Sequence, residues 1–127
     1  VREIPHVDPE ILSRLDIRAG RVMRAESFPE ARQPAIKLWI DFGPGIGERT
    51  SSAKLTRRYT PESLTGTLVL AVVNFKPLRI AGFLSEVLVL GVTPAGGEGD
   101  AREDVVLVRP DGETGIDPSE RVGWRLS

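Results

Sequence analysis

Residues 36 to 42, IKLWIDF, alternate without a break, so that Ile36, Leu38, Ile40 and Phe42 fall on one face and Lys37, Trp39 and Asp41 on the other. A period of two is incompatible with a helix and calls for a sheet with one face against a core. The rest of the chain supplies partners. A strand is predicted from Ile17 to Ala25 with a bulge at Gly20, two apolar runs from Leu68 to Val73 and Val87 to Leu90 read as buried strands, and Val105 to Val108 reads as another. GPGIG at 43 to 47 leads into Glu48, Arg49 and Thr50, which look like a returning strand, so it reads as a hairpin turn and not as a phosphate-binding glycine loop.

Helical signals are confined to two places. Asp8, Pro9 and Glu10 supply a capping carboxylate, a proline at the first helical position and an acid in the first turn, ahead of an apolar stripe at Ile11, Leu12 and Leu15. Pro61, Glu62 and Leu64 suggest a second short helix. Short strands between Gly/Pro turns predict an all-β fold: a five-stranded oligonucleotide/oligosaccharide-binding (OB) barrel forming a single domain over residues 1 to 127. It carries a helical extension at about 8 to 15 and a strand extension at about 105 to 127. Trp39 is expected on the face away from the core, covered by the N-terminal helix, a neighbouring loop or a second subunit.

Composition narrows the function classes. The chain has 127 residues, no cysteine and one histidine, His6, so disulfides, thiolate chemistry and a Cys/His metal cage are not expected. Ser51, Ser52, Lys54 and Glu86 are individually reactive types, but no spacing joins a nucleophile to a base and an orienting group; no enzyme, cofactor or metal is expected. No apolar run reaches the length of a membrane span and no signal-peptide pattern opens the chain, so a cytoplasmic protein is expected, with no membrane insertion.

The net charge of −1 hides a segregation. Between residues 49 and 80, Arg49, Lys54, Arg57, Arg58, Lys76 and Arg79 face one acid, Glu62, for a local balance of +5. Residues 98 to 104 hold Glu98, Asp100, Glu103 and Asp104 against Arg102. A basic patch on an acidic chain still attracts phosphate, because attraction follows local potential. The segment between the apolar runs at 68 to 73 and 87 to 90 gathers Asn74, Lys76, Arg79, Ser85 and Glu86, polar groups that must bind something or reach water.

Three ordered segments, DIRAGRVMRAESFPEARQPAIKLWIDFG at 16 to 43, SSAKLTRRY at 51 to 59 and NFKPLRIAGFLSEVLVLG at 74 to 91, resemble the tRNA-binding domain family. That family includes the CsaA-type secretion chaperones, appendices of methionyl- and phenylalanyl-tRNA synthetases and the cytokine precursor EMAP II, and the resemblance is strongest to the CsaA branch. It implies an OB barrel and a homodimer whose interface uses the helix near Asp8 to Leu15 and the C-terminal segment ending in Trp124 and Leu126. It also implies an RNA-facing edge at Asn74, Lys76, Pro77, Arg79, Gly82, Ser85 and Glu86, with Ser52 matching an earlier serine. Lys54, Arg57 and Arg58 add phosphate-neutralising charge. Where many relatives have a methionine, this chain has Val87 and Leu88, a stiffer contact surface. Of Phe75 and Phe83, either of which suits base stacking, the core is the favoured place for both. Two functions follow from the resemblance: a chaperone that binds unfolded or presecretory polypeptides, with export machinery as a further partner, or a structure-selective tRNA binder. Phe28 and Trp39 are the candidate peptide contacts. The near-neutral total charge favours polypeptide.

Overall fold

The alternation at residues 36 to 42 is realised in β2 (Ile36–Asp41): Ile36, Leu38, Ile40 and Phe42 are all buried, and Lys37, Trp39 and Asp41 are half-exposed. The computed structural model describes residues 3–94 and 104–127, so the acidic residues Glu98, Asp100 and Glu103 lie outside the described residues. Around β2, an antiparallel five-stranded sheet runs in the order β3-β2-β1-β4-β7, with β1 at Ile17–Ser27, β3 at Glu48–Ala53, β4 at Leu68–Val72 and β7 at Leu88–Val89. The turn at 43 to 47 joins β2 to β3 as a hairpin, closed by the Gly47 amide donating to the Gly43 carbonyl at 2.6 Å.

The long strand β1 serves both halves of the barrel. Its first residues, Ile17–Arg21, pair with β4, and Arg21–Ser27 pair with β2. The register shifts between Val22 and Arg24, which puts the bulge near Met23 and not at Gly20. Gly20 pairs in register with Val69; its lack of a side chain answers to space instead. A Cβ there would stand 2.5 Å from Ile40 Cγ2 and 2.6 Å from Phe42 Cε1.

The interior is filled by Val22, Leu38, Ile40, Phe42, Val69, Ala71 and Val87. Leu64 is added from below by α2 (Pro61–Leu64), whose start is fixed by a reciprocal cap: Thr60 Oγ1 accepts from the Ser63 amide and Ser63 Oγ from the Thr60 amide. The helix α1 (Glu10–Arg14) differs from expectation at its start. Pro9 occupies the cap position with no side-chain cap, and Asp8 takes part only through its carbonyl, which accepts from Ile11. None of its residues is buried.

The second apolar run is also less buried than its composition suggests. Only Leu88–Val89 form strand β7, and Leu88 is 51% exposed. Between β4 and β7 the chain builds a hairpin, β5 (Leu78–Ile80) with β6 (Phe83–Ser85). Its two-residue turn has Ala81 at φ 45° and Gly82 at φ 83°, the doubly left-handed form whose twist suits a hairpin.

Beyond the barrel, the C-terminal extension contributes one two-residue strand, β9 (Val106–Leu107), paired with β8 (Gly91–Val92), and a bridge from Arg125 to Arg18. The rest is turn and 3-10 helix at Gly112–Thr114 and Pro118–Arg121. Asp111 and Asp117 each accept the amide two residues on, a local bond that competes with pairing into a sheet. Arg121 is buried and donates to the carbonyls of Asp111 and Ile116, holding these turns together.

One carboxylate ties the C-terminal segment to the start of β1. Asp16 Oδ1 accepts from Arg18 Nε at 2.6 Å and lies 3.6 Å from Arg125 Nε. Arg18 donates onward to the Gly123 carbonyl and Arg125 to that of Ser13. The hydrogen bond from Arg18, reinforced by the positive charges of Arg18 and Arg125, holds the Asp16 carboxyl below its ordinary range despite partial desolvation.

Gly20→Ala is expected to lower stability by about 1–3 kcal/mol, because both facing side chains are walled in; urea unfolding at unchanged m-value measures it, and a variant as stable as the parent contradicts the packing. Ala81→Asn, which tolerates left-handed backbone better, should raise stability by about 0.5 kcal/mol or more, visible as a higher melting temperature. A carboxyl with a depressed folded pKa stabilises the fold above its unfolded value and loses that contribution as pH falls through the folded value. Asp16→Asn should therefore reduce stability at neutral pH and flatten the acid limb of a stability-against-pH curve, whereas parallel curves would contradict the network.

Candidate binding groove at the barrel seam

The barrel closes between β3 and the segment that joins β6 to β7, and it closes without a regular ladder. The Thr50 carbonyl accepts from the amides of both Glu86, at 2.8 Å, and Val87, at 3.1 Å. Buried Ser51 donates its hydroxyl to the Val87 carbonyl at 2.9 Å, and Ser85 Oγ accepts from the Ser52 amide at 3.0 Å. Thr50 Oγ1 lies 2.5 Å from the Leu84 carbonyl and 2.9 Å from Glu86 Oε1, so its single proton serves one of them at a time. Glu86 Oε1 also accepts from the Thr50 amide, and its other oxygen lies 3.7 Å from Arg49.

Beside this seam lies a cavity of about 230 Å³. Ser52, Lys76, Ser85 and Glu86, four of the residues expected at a binding edge, line it together. The remaining lining is apolar: Phe75, Leu78, Ile80, Val87 and Leu88, of which Phe75, Leu78 and Leu88 are 46%, 63% and 51% exposed. Phe75 is thus a lip of the cavity, where the sequence favoured the core. No periodicity marks it, since the residues around it belong to a loop.

The hairpin β5–β6 forms one wall and is propped from behind by aromatic contacts. Phe83 meets Phe28 edge-on at 5.6 Å and Trp39 at 5.7 Å, with the Lys37 ammonium 4.6 Å from the Phe28 ring and the Arg24 guanidinium 4.5 Å over Trp39. Such contacts add to area burial. Trp39 accordingly lies off the core face as expected, covered by the hairpin and an arginine. Phe28 is only 3% exposed, so it supports the wall and presents no open ring.

The other expected residues divide. Asn74 spends its amide on structure: Oδ1 accepts from the Asp16 amide at 2.9 Å and Nδ2 donates to the Arg14 carbonyl at 3.0 Å, pinning the loop to the end of α1. Arg79 donates to the Gly82 carbonyl and braces the hairpin turn. Arg58 and Asp104 form a two-pronged ion pair, with Arg58 Nη2 3.0 Å from Asp104 Oδ2. The hydrogen bond from Arg58 holds the Asp104 carboxyl below its ordinary range and raises the guanidinium in turn. Arg57 is exposed. Lys54 lines an adjoining cavity, and neither it nor Lys76 forms an ion pair among the described residues. Among those residues no group of His, Cys, Asp or Glu is arranged to hold a metal. Thr50 and Ser51, which close the seam, carry no local sequence signal; in sequence they are a polar strand end.

Fold and groove together define a small OB-type binding barrel, and the comparisons give its family. A model of the putative tRNA-binding domain matches residues 17–117, and the chain belongs to the tRNA-binding domain family. It is similar to the crystal structure of the chaperone CsaA from Bacillus anthracis, at 46% identity and a TM-score of 0.81, covering 97% of this chain and 100% of that one. It is also similar to CsaA from Picrophilus torridus, at 37% identity and a TM-score of 0.78 over 96% and 100% of the two chains. Among curated relatives, the methionine–tRNA ligase of Archaeoglobus fulgidus is 34% identical over 113 residues, 89% of this chain. The chain spans only 15% of that ligase.

Ser51→Ala leaves the Val87 carbonyl without its buried donor and is expected to cost about 1–3 kcal/mol. Lys76→Ala, on the exposed rim, should stay within about 0.5 kcal/mol. Urea unfolding of the two variants checks the contrast, and equal losses would remove Ser51 from the closure.

Proposed function

We propose that the chain is a binding protein that holds unfolded or presecretory polypeptide segments at the seam groove, working as a homodimer in the cytoplasm, without catalytic chemistry of its own. The observation that carries this reading is the groove's mixed character. Phe75, Leu78 and Leu88 expose apolar surface at its lips, while Asn74, Ser85 and Glu86, the polar groups suited to reading a base, are engaged in bonds within the chain. Apolar area gains most from an apolar side chain brought to it. The likeness to CsaA chaperones over nearly the whole of both chains supports the same reading.

The dimer has its own support. Ile11, Leu12, Trp124 and Leu126 are 41% to 54% exposed, and Pro9, Leu12, Arg125 and Leu126 line a cleft of about 470 Å³ between α1 and the chain's end. A second copy covering this face would bury apolar surface that the barrel leaves open. No helix among the described residues is long and apolar enough to cross a membrane. A contact with export machinery would follow from the clients.

A second reading, tRNA binding, is favoured by the family match and by the cations on the groove side of the barrel. Lys54, Arg57, Lys76 and Arg79 would neutralise phosphates, and a dimer would present two such surfaces at fixed separation. Aminoacylation itself is not carried over from ligases of which the chain spans so little.

Labelled total tRNA and an unfolded presecretory protein, titrated separately at low and moderate salt, distinguish the readings. Phe75→Ser, Leu78→Ser and Leu88→Ser combined should weaken polypeptide binding about tenfold or more through lost apolar contact, with tRNA unaffected. Lys54→Ala, Lys76→Ala and Arg79→Ala combined should instead flatten the salt dependence of tRNA binding. Binding of tRNA alone would replace the chaperone reading.

A further inference from the structure

The seam groove does not end at β5. A second cavity of about 240 Å³ adjoins it, and because the two share Ser52 and Ile80 they form one trough running from Phe75 to the loop at 31 to 35. The far end has different chemistry. Ala31, Ala35 and Ile80 give it apolar walls, while Arg32, Gln33 and Lys54 supply its polar side. Among the described residues neither Arg32 nor Lys54 has a carboxylate partner.

We infer that this far end is a carboxylate-binding subsite, and that the trough selects extended polypeptide in which an acidic side chain lies close to an apolar one. A guanidinium, an ammonium and a carboxamide bring N–H donors to one depression. The group that satisfies several donors at once and cancels the charge is an ionised carboxylate, and charge-assisted bonds of this kind are the strong ones. Both cations are exposed, so the pairing is screened by solvent and weakens as salt rises. An apolar neighbour of the acid then reaches Phe75, Leu78 and Leu88 at the other end. In an extended chain alternate side chains point the same way, so both can enter from one face of the strand.

A polynucleotide fits this trough less well. Glu86 lines the Phe75 half, where its carboxylate repels a phosphodiester, although bases can stack on exposed Phe75, and an oligonucleotide is therefore one arm of the test. The inference rests on the polypeptide reading and adds to it the chemical class of segment preferred.

The test uses the full chain and three short fluorescein-labelled peptides of one scaffold, each with leucine or phenylalanine and, two residues further on, aspartate, asparagine or lysine on the same face of the extended chain, read by fluorescence anisotropy. The aspartate peptide should bind about tenfold more tightly than the asparagine peptide at low salt, the lysine peptide most weakly, with the gap narrowing as salt rises. Arg32→Gln combined with Lys54→Gln should abolish the gap, chiefly by weakening the aspartate peptide. Equal affinity for the aspartate and asparagine peptides, or a gap that survives in the double variant, overturns the inference while the polypeptide reading stands. Failure of all three peptides to bind removes the polypeptide reading and this inference with it. Loss of single-stranded oligonucleotide binding in the double variant, without discrimination among peptides, would assign the two cations to nucleic acid and equally overturn it.

Discussion

The bonding between Thr50–Ser52 and Leu84–Val87 is what the rest of the molecule depends on. A five-stranded sheet becomes a barrel only when its two edges meet, and here one edge strand, β7, has just two residues. Too short to offer β3 a ladder, it leaves the closure to hydroxyls, one carboxylate and a carbonyl that accepts two amides. The bond from the Ser51 hydroxyl to the Val87 carbonyl is buried, so leaving it unmade would carry the desolvation cost of an orphaned polar group. They also place the β5–β6 hairpin against β3, and the groove exists because the hairpin stands there. Architecture and site therefore share the same atoms.

That sharing sorts the polar residues of the basic region into two kinds. Asn74, Ser85 and Glu86 are committed to carbonyls, amides and hydroxyls of their own chain. Lys76 and Lys54 stand at the rim, where long stems reach over apolar surface and keep the charge in water. Arg58 belongs to neither kind, because Asp104 neutralises it. A residue-type match to a binding motif thus overstates how many of its groups face a ligand.

What could be read in advance was whatever depends on near neighbours in the chain. The strand at 36 to 42, the hairpin at GPGIG and the short helix at Pro61 follow from periodicity and turn chemistry, and all three are present. Gly20 illustrates the limit: its glycine signals a special place in β1, but whether the reason is a bulge or the approach of Ile40 and Phe42 is settled by residues twenty positions away. Leu88 illustrates it from the other side. An apolar residue in an apolar run looks buried, yet Leu88, paired with Val72 in the sheet, is 51% exposed beside buried Val87. Phe28 and Phe75 exchange their expected places for the same reason: a ring's exposure depends on which wall comes to cover it.

By itself the sequence determined that the chain is a β barrel, that its inward faces are those of Ile36, Leu38 and Ile40, and that its positive charge gathers between residues 49 and 80, because hydrophobic period and charge are properties of consecutive residues. Its family was likewise legible in three ordered segments. Only the tertiary structure decided that Thr50 and Ser51 close the barrel, that Asn74 and Glu86 serve the fold, and that Phe75, Leu78 and Leu88 face outward over a trough reaching to Arg32 and Lys54. Closing a sheet brings together groups separated by more than thirty residues, and whether a polar side chain is spent or available depends on what arrives beside it.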